Sequence, residues 1–239
     1  MTNNWTMAET PLIIAHRGAS ADTTENTLAA FALAVEQGAD GIELDVQFSA
    51  DGRLVIYHDH SLQRFTGNKE KVSDLTLAEL KDIELGDDQT IPTLDELFEM
   101  LGPGVLYNIE LKDYGLRDNG LETAVADRVE SFGLENLVLI SSFSPLSVRR
   151  SRRVFNPSIP VALIRMKGLF KYGYWLASGE ADHPHYKLVD ESYMVWCTKR
   201  GYRIHVWTVN DADEALRLAQ LGVHGIITDK PQYMRQILN

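Results

Sequence analysis

Short apolar runs alternate with amphipathic helical patterns along almost the whole chain, and nothing else in the sequence restricts the fold as much. Apolar runs of strand type fall at 12–15, 41–48, 105–111, 137–140, 161–164, 203–209 and 225–228. Helical periodicity occupies 27–37, 93–101, 121–132, 145–155, 190–200, 211–221 and 231–238, with Gly38, Gly133, Gly201 and Gly222 placed as stop signals. Strict alternation implies a parallel sheet, because each return to the same sheet edge needs a crossover helix. About eight repeats in 239 residues predict closure into a (β/α)8 TIM barrel, an α/β fold of roughly this length. An open doubly wound sheet is the runner-up, but no Gly-x-Gly-x-x-Gly follows the first strand.

Two stretches break the rhythm. Residues 59–92, rich in Asp, Lys and Gly, read as a small cap-like insertion after the second strand region, within a single domain spanning 1–239. Residues 166–187 are too irregular to place the sixth strand.

Charge narrows the partners. With 34 acidic and 23 basic side chains the net charge is −11, which argues against nucleic acid or an anionic membrane as a general partner. Arg149, Arg150, Arg152 and Arg153 cluster, but near the end of the helix at 145–155 they are expected to be solvated and to complement its dipole. A lone Cys197, no leader pattern and no apolar run of about eighteen residues point to a cytoplasmic protein without a stable membrane anchor. Oligomeric state is not legible.

The polar residues inside strands carry the chemistry. Along Gly41-Ile42-Glu43-Leu44-Asp45-Val46-Gln47-Phe48, a period of two turns Ile42, Leu44 and Val46 to one face and Glu43, Asp45 and Gln47 to the other. The run at 105–111 repeats the device, with Asn108, Glu110 and then Lys112 inside. Buried carboxylates cost several kcal/mol each unless paired or ligated. Glu43, Asp45 and Glu110 are hard oxygen donors suited to one divalent cation, Mg²⁺ or Ca²⁺. The alternative is an ion-pair network centred on Lys112, which one lysine could not neutralise. His16 ends the first strand and His58 an extended run at 54–58, both read as carboxyl ends of strands at the working face of a barrel, where two imidazoles can act as base and acid. Arg17 can donate two hydrogen bonds to a phosphate.

Taken in order, His16-Arg17-Gly18, Glu25-Asn26-Thr27, Glu43-Leu44-Asp45, His58-Asp59, Glu110-Leu111-Lys112, Ser142-Phe143, Trp207-Thr208-Val209-Asn210 and 225–231 resemble the glycerophosphodiester phosphodiesterase family. The resemblance implies a TIM barrel with an insertion after its second strand region. It implies metal ligands at Glu43, Asp45 and Glu110, with Glu25 at the same site and its direct ligation left open. It implies acid and base at His16 and His58, with Arg17, Lys112 and Trp207 on the substrate. His58 is taken as the acid, and His60 as a solvated neighbour. The departures are Thr24, where the family favours proline, and His224, where it favours an acidic residue. The implied activity is hydrolysis of a small glycerophosphodiester to glycerol 3-phosphate and an alcohol. A lysophospholipase D-type phosphodiesterase, with Phe65, Leu169, Phe170, Tyr172, Tyr174 and Trp175 lining an acyl groove, and a non-catalytic barrel that binds phosphorylated ligands are the alternatives.

Overall fold

Eight parallel strands close on themselves in a computed structural model that describes residues 4–6, 11–67, 69–86, 88–166 and 179–238. The wall consists of β1 (Leu12–His16), β2 (Gly41–Phe48), β6 (Leu106–Leu111), β7 (Val138–Ser142), β8 (Val161–Arg165), β9 (Ala181–Pro184), β10 (Arg203–Val206) and β11 (Gly225–Thr228). β1 pairs with both β11 and β2, which leaves no edge in the ring. The strand that sequence periodicity could not place is β9, only four residues long and containing Asp182, His183 and Pro184. Four residues without an apolar period do not rise above a loop.

Helices α1 (Leu28–Glu36), α4 (Leu94–Leu101), α5 (Leu121–Ser131), α6 (Pro145–Val154), α7 (Glu191–Thr198), α8 (Ala212–Leu221) and α9 (Pro231–Leu238) follow the wall strands. Their starts obey local chemistry. Thr27, Ser144, Asp190 and Asp211 accept from backbone N–H groups of the first turn, and Thr93 forms a reciprocal capping box with Glu96. Outward-facing Ile42, Leu44, Val46, Tyr107, Ile109 and Leu111 meet the helices in the largest buried cluster. Arg150 departs from the solvated role expected of it. Its guanidinium is largely buried between Asp113 (2.6 Å) and Glu122 (3.0 Å), because α6 packs against α5 with that face inward. Arg152 pairs with Glu180 near the surface.

After β2 the chain turns back as β3 (Leu54–Ile56), antiparallel to β2, with Val46 opposite Ile56. The following stretch carries α2 (Gln63–Thr66), α3 (Leu77–Lys81) and the small hairpin β4 (Glu84–Gly86) and β5 (Gln89–Thr90). Leu62, Val72, Leu80, Leu85 and Ile91 cluster there with Val55 and Tyr57, and Phe65, Leu75, Leu77 and Ile83 pack around them. Phe65 thus packs, partly buried, on this small core. Leu169, Phe170, Tyr172, Tyr174 and Trp175 lie outside the described residues.

Inside the barrel the lower layer is apolar. Trp5, fully buried, joins Leu12, Ile14, Leu106, Leu139, Ala162, Ala181 and Ile227, and its indole N–H donates to the Leu137 carbonyl at 2.8 Å. Trp5 also lies against His205, with ring centroids 5.2 Å apart, and the His205 ring meets His183 at 3.0 Å between nitrogens. Gly225 makes room for that ring, since a Cβ there would sit 2.7 Å from His205 Cδ2. Burial pushes His183 down to about 3 and His205 well below the usual imidazole range. Both rings stay neutral when folded and take up protons on unfolding below about pH 6.5, so stability falls as the pH drops. Going from pH 7 to pH 5 should cost about 2 kcal/mol per ring. Denaturant titrations of the parent and His205→Gln across that range check this. The variant should take up about one proton fewer on unfolding, and equal uptake would show that the His205 ring is already charged in the folded state.

Candidate active site

Strand register assembles the acidic cluster. His16 stands beside Glu43, Glu43 beside Asn108, and Asp45 beside Glu110, each pair at one level of adjacent parallel strands. Residues in register point to the same side, so the inward side chains converge. Carboxylate oxygens of Glu43, Asp45 and Glu110 all lie within 4.8 Å of one another, and all three residues are buried. Lys112 Nζ donates to Glu110 Oε1 at 2.9 Å and lies 3.2 Å from Asp45 Oδ1 without the alignment of a hydrogen bond. Asp45 Oδ1 is consequently a buried oxygen with no hydrogen-bond partner among the described residues.

The electrostatics follow from this crowding. Burial, then the neighbouring Asp45 charge, pushes Glu43 up to about 8. Glu110 is raised for the same two reasons. Burial also works against ionised Asp45, but Lys112 and Arg17 outweigh it and hold that carboxyl well below its usual range. Without a further cation the site therefore keeps a proton on one carboxyl near neutral pH. Three hard oxygen donors, one of them a buried oxygen without a hydrogen bond, are a set that a divalent ion would satisfy.

The segment around Glu25-Asn26-Thr27 serves this cluster with three different side chains. Thr27 caps α1, Asn26 donates to Asp45 Oδ2 at 2.8 Å, and Glu25 accepts from Arg17 Nη1 at 2.8 Å. Glu25 stands outside the set of three carboxylates and is held by two arginines, Arg17 and Arg64. Arg17 itself adopts φ +56°, and its N–H donates to the Glu43 carboxylate at 3.0 Å. Gly18 follows at φ +85°, where a Cβ would come within 2.6 Å of the Ala30 backbone, so only glycine fits.

His16 and His58 face one cavity of about 190 Å³, together with Arg17, Glu43, Asn108 and Glu110. Phe143, Ile164, Met166, His183 and Trp207 line its other side. The indole N–H of Trp207 is used on the His183 carbonyl (2.8 Å), which leaves its ring for the cavity. Lys112 is buried against the carboxylates and is not among the lining residues. His60 is exposed and packs edge-on against Tyr114.

His58 does not sit at the end of a barrel strand, contrary to the reading of its sequence context. It follows β3, which runs antiparallel to β2 and delivers the ring back to the barrel mouth. Gln47, the third inward residue of β2, donates to the carbonyls of Tyr57 (2.7 Å) and Asp59 (2.9 Å), bracketing His58.

Each imidazole has a carboxylate on Nδ1. His16 meets Asp229 at 2.6 Å, and His58 meets Asp59 at 2.7 Å. Nε2 is then the nitrogen left for chemistry in both rings. The two carboxylates are held differently. Asp229 takes hydrogen bonds from the neutral groups of Asn210 (2.5 Å) and Ser20 (3.1 Å), whereas Asp59 is paired with the Arg64 guanidinium at 2.6 Å. Burial disfavours a charged His16, but Asp229 and then Glu43 more than compensate, and its pKa is raised. Burial lowers His58, and the nearby Asp45 does not offset it. Asp229, Asn210, Ser20, Asp59 and Arg64 carry no assigned role in the sequence reading. The position of Asp229 immediately past the last strand, at the working rim, is the signal that could have found it.

Comparison with known proteins agrees with this arrangement. Residues 16–233 match the model of the glycerophosphoryl diester phosphodiesterase family. A glycerophosphodiester phosphodiesterase of Caldanaerobacter subterraneus is 38% identical over 231 residues, covering 92% of this chain and 95% of the relative. A phosphodiesterase of Oleispira antarctica, solved in complex with the product sn-glycerol-3-phosphate, superposes with a TM-score of 0.79 at 30% identity, covering 95% of this chain and 96% of that one. A glycerophosphodiester phosphodiesterase of Thermotoga maritima gives a TM-score of 0.78 at 28% identity, covering 96% and 99%. The chain is an enzyme that belongs to the glycerophosphoryl diester phosphodiesterase family.

Proposed function

We propose that this enzyme hydrolyses glycerophosphodiesters to glycerol 3-phosphate and an alcohol with the help of one divalent cation, Mg²⁺ or Ca²⁺. The observation that carries this reading is the shared cavity, where two carboxylate-held imidazoles face Glu43 and Glu110 of the cluster of three buried carboxylates. Glu43, Asp45 and Glu110 would hold the cation, which when bound supplies positive charge to phosphoryl oxygens. Glu25, engaged by two arginines, is assigned to holding Arg17.

The residues divide the proton work as follows. Neutral His58 takes the proton of the glycerol hydroxyl next to the ester, whose oxygen attacks phosphorus. Protonated His16 gives its proton to the departing alcohol oxygen, and a cyclic phosphate forms. Water then opens the cycle with the roles exchanged, His16 taking its proton and His58 returning one to the glycerol oxygen. This order reverses the one read from sequence, because Asp229 and then Glu43 raise His16 in spite of its burial, whereas burial, with Lys112 and Arg17 nearby, lowers His58, whose acceptor Asp59 is itself paired with Arg64. Arg17 faces the phosphate, Lys112 is the fixed counter-charge beneath the carboxylates, and Trp207 offers its ring to the organic part of the substrate.

No helix among the described residues is long and apolar enough to cross a membrane. We assign residues 59–92 to selection of the alcohol side, since they follow directly from His58 at the rim. Product analysis with glycerophosphocholine, glycerophosphoethanolamine and lysophosphatidylcholine tests the whole reading. Glycerol 3-phosphate released from the first two is the expected result. Release of choline from lysophosphatidylcholine alone would move the substrate class to lysophospholipids, and saturable binding without turnover would make the barrel a phosphate-ligand receptor.

A further inference from the structure

His16 is oriented by the barrel, since Asp229 follows β11 and Asn210 and Ser20 belong to loops of the same ring. His58 depends on the inserted segment. Both oxygens of Asp59 are engaged: Oδ1 meets His58 Nδ1 at 2.7 Å and Oδ2 accepts from Arg64 Nε at 2.6 Å. The same guanidinium donates through Nη2 to Glu25 Oε1 at 2.6 Å, the oxygen that also accepts from Arg17 Nη1. Arg64 thus spans from the acceptor of His58 to the partner of Arg17.

The Arg64 side chain, about two-fifths exposed, is carried by the inserted segment. Arg64 lies in α2 between Leu62, buried in the small core of the insertion, and Phe65, which packs on that core 6.0 Å from the Tyr57 ring. The guanidinium also stands 4.7 Å from the Phe65 ring centre. The planar fork of arginine suits two carboxylates at once, which an ammonium group cannot reproduce.

We propose that Arg64 is a positioning residue for the reaction: by bridging Asp59 and Glu25 it holds the His58 ring in its working orientation and fastens the inserted segment to the barrel rim. The proposal rests on the assignment of His58 to catalysis made above. The backbone around His58 is held separately by Gln47 and by the Tyr57 N–H on the Asp45 carbonyl, so loss of Arg64 should release the ring without unfolding its loop.

The experiment compares Arg64→Gln, Arg64→Lys, Asp59→Asn, the double variant Asp59→Asn/Arg64→Gln, and His58→Ala. Steady-state kinetics are read together with the ¹⁵N signals of the His58 imidazole. Arg64→Gln should lower kcat about 10–100-fold, the range seen when an outer partner that orients a metal-bound histidine is removed. KM should change by less than about threefold. Arg64→Lys should recover part of the loss, because it can engage one carboxylate. The double variant should be no worse than Asp59→Asn alone, since the two residues act through one contact. His58 should give the Nδ1–H tautomer in the parent and a mixture in Arg64→Gln. Three results would overturn the proposal: kcat of Arg64→Gln within about twofold of the parent, losses that multiply in the double variant, or an unchanged His58 tautomer. If His58→Ala itself remains active, the assignment of His58 is wrong; if it is inactive while Arg64→Gln is normal, only the role of Arg64 fails.

Discussion

His58→Ala is expected to lower kcat on a glycerophosphodiester by about two to four orders of magnitude, and to keep that loss whatever alcohol departs. His16→Ala is expected to lose as much on a choline or ethanolamine ester and, on a p-nitrophenyl ester, to regain most of the rate of p-nitrophenol release in the first turnover, while opening of the cyclic phosphate, where His16 is the base, stays slow. A phenolate of low basicity departs without a proton, so it bypasses the acid and not the base. The physical basis is the unequal surroundings of the two rings: Asp229 and Glu43 raise His16 against its burial, while burial together with Lys112 and Arg17 lowers His58. Kinetics of both variants on both ester types decide the matter. If His58→Ala is the variant rescued by the good leaving group, the order read from sequence is restored and His58 is the acid. If either variant keeps normal kcat, that ring is structural. For His58 the substitute to test is then His60.

Removal of divalent cations is expected to abolish turnover and to lower Tm. A saturating ion at about 100 times its Kd adds about 2.7 kcal/mol, which for a chain of this length moves Tm by about 5–10 °C. The gain should depend on pH with a definite sign. Glu43 rises from its usual value to about 8 on folding, so its protonated form stabilises the ion-free protein, fully below about pH 4.5 and progressively less as pH rises through 8. A bound cation replaces that proton, and its stabilisation should therefore be larger at pH 8 than at pH 6. Thermal melts with chelator, Mg²⁺ and Ca²⁺ at both pH values measure this, beside turnover under the same conditions. Full turnover in excess chelator, with metal content shown to be zero, would remove the cation from the proposal. A Tm gain that does not grow with pH would show that Glu43 is not the carboxyl relieved by the ion.

Much of this site was legible before any coordinates. Alternation with a period of two is a local property of a strand, and it suffices to say that Glu43, Asp45 and Glu110 share the inner side while Ile42, Leu44, Tyr107 and Ile109 meet helices. Helix boundaries were legible for the same reason, since caps such as Thr27, Ser144 and Asp211 act within one turn. Other features depend on contacts across long sequence separations. β9 is a strand because β8 and β10 offer it hydrogen bonds on both sides, although its four residues have no strand-like pattern of their own. Arg150 is buried because Asp113 and Glu122 come to meet it from the preceding β/α unit. The division of labour between the histidines belongs to the same class. His16 and His58 are each followed by ordinary polar sequence, and only closure of the ring brings Asp229 to the one and antiparallel β3 with α2 brings Arg64 to the other. Sequence alone determined which functional groups line the barrel, because side-chain direction in a strand is set by its neighbours in the chain. Tertiary structure alone decided which of those groups is charged, because that depends on partners more than 200 residues away in one case and on an inserted segment in the other.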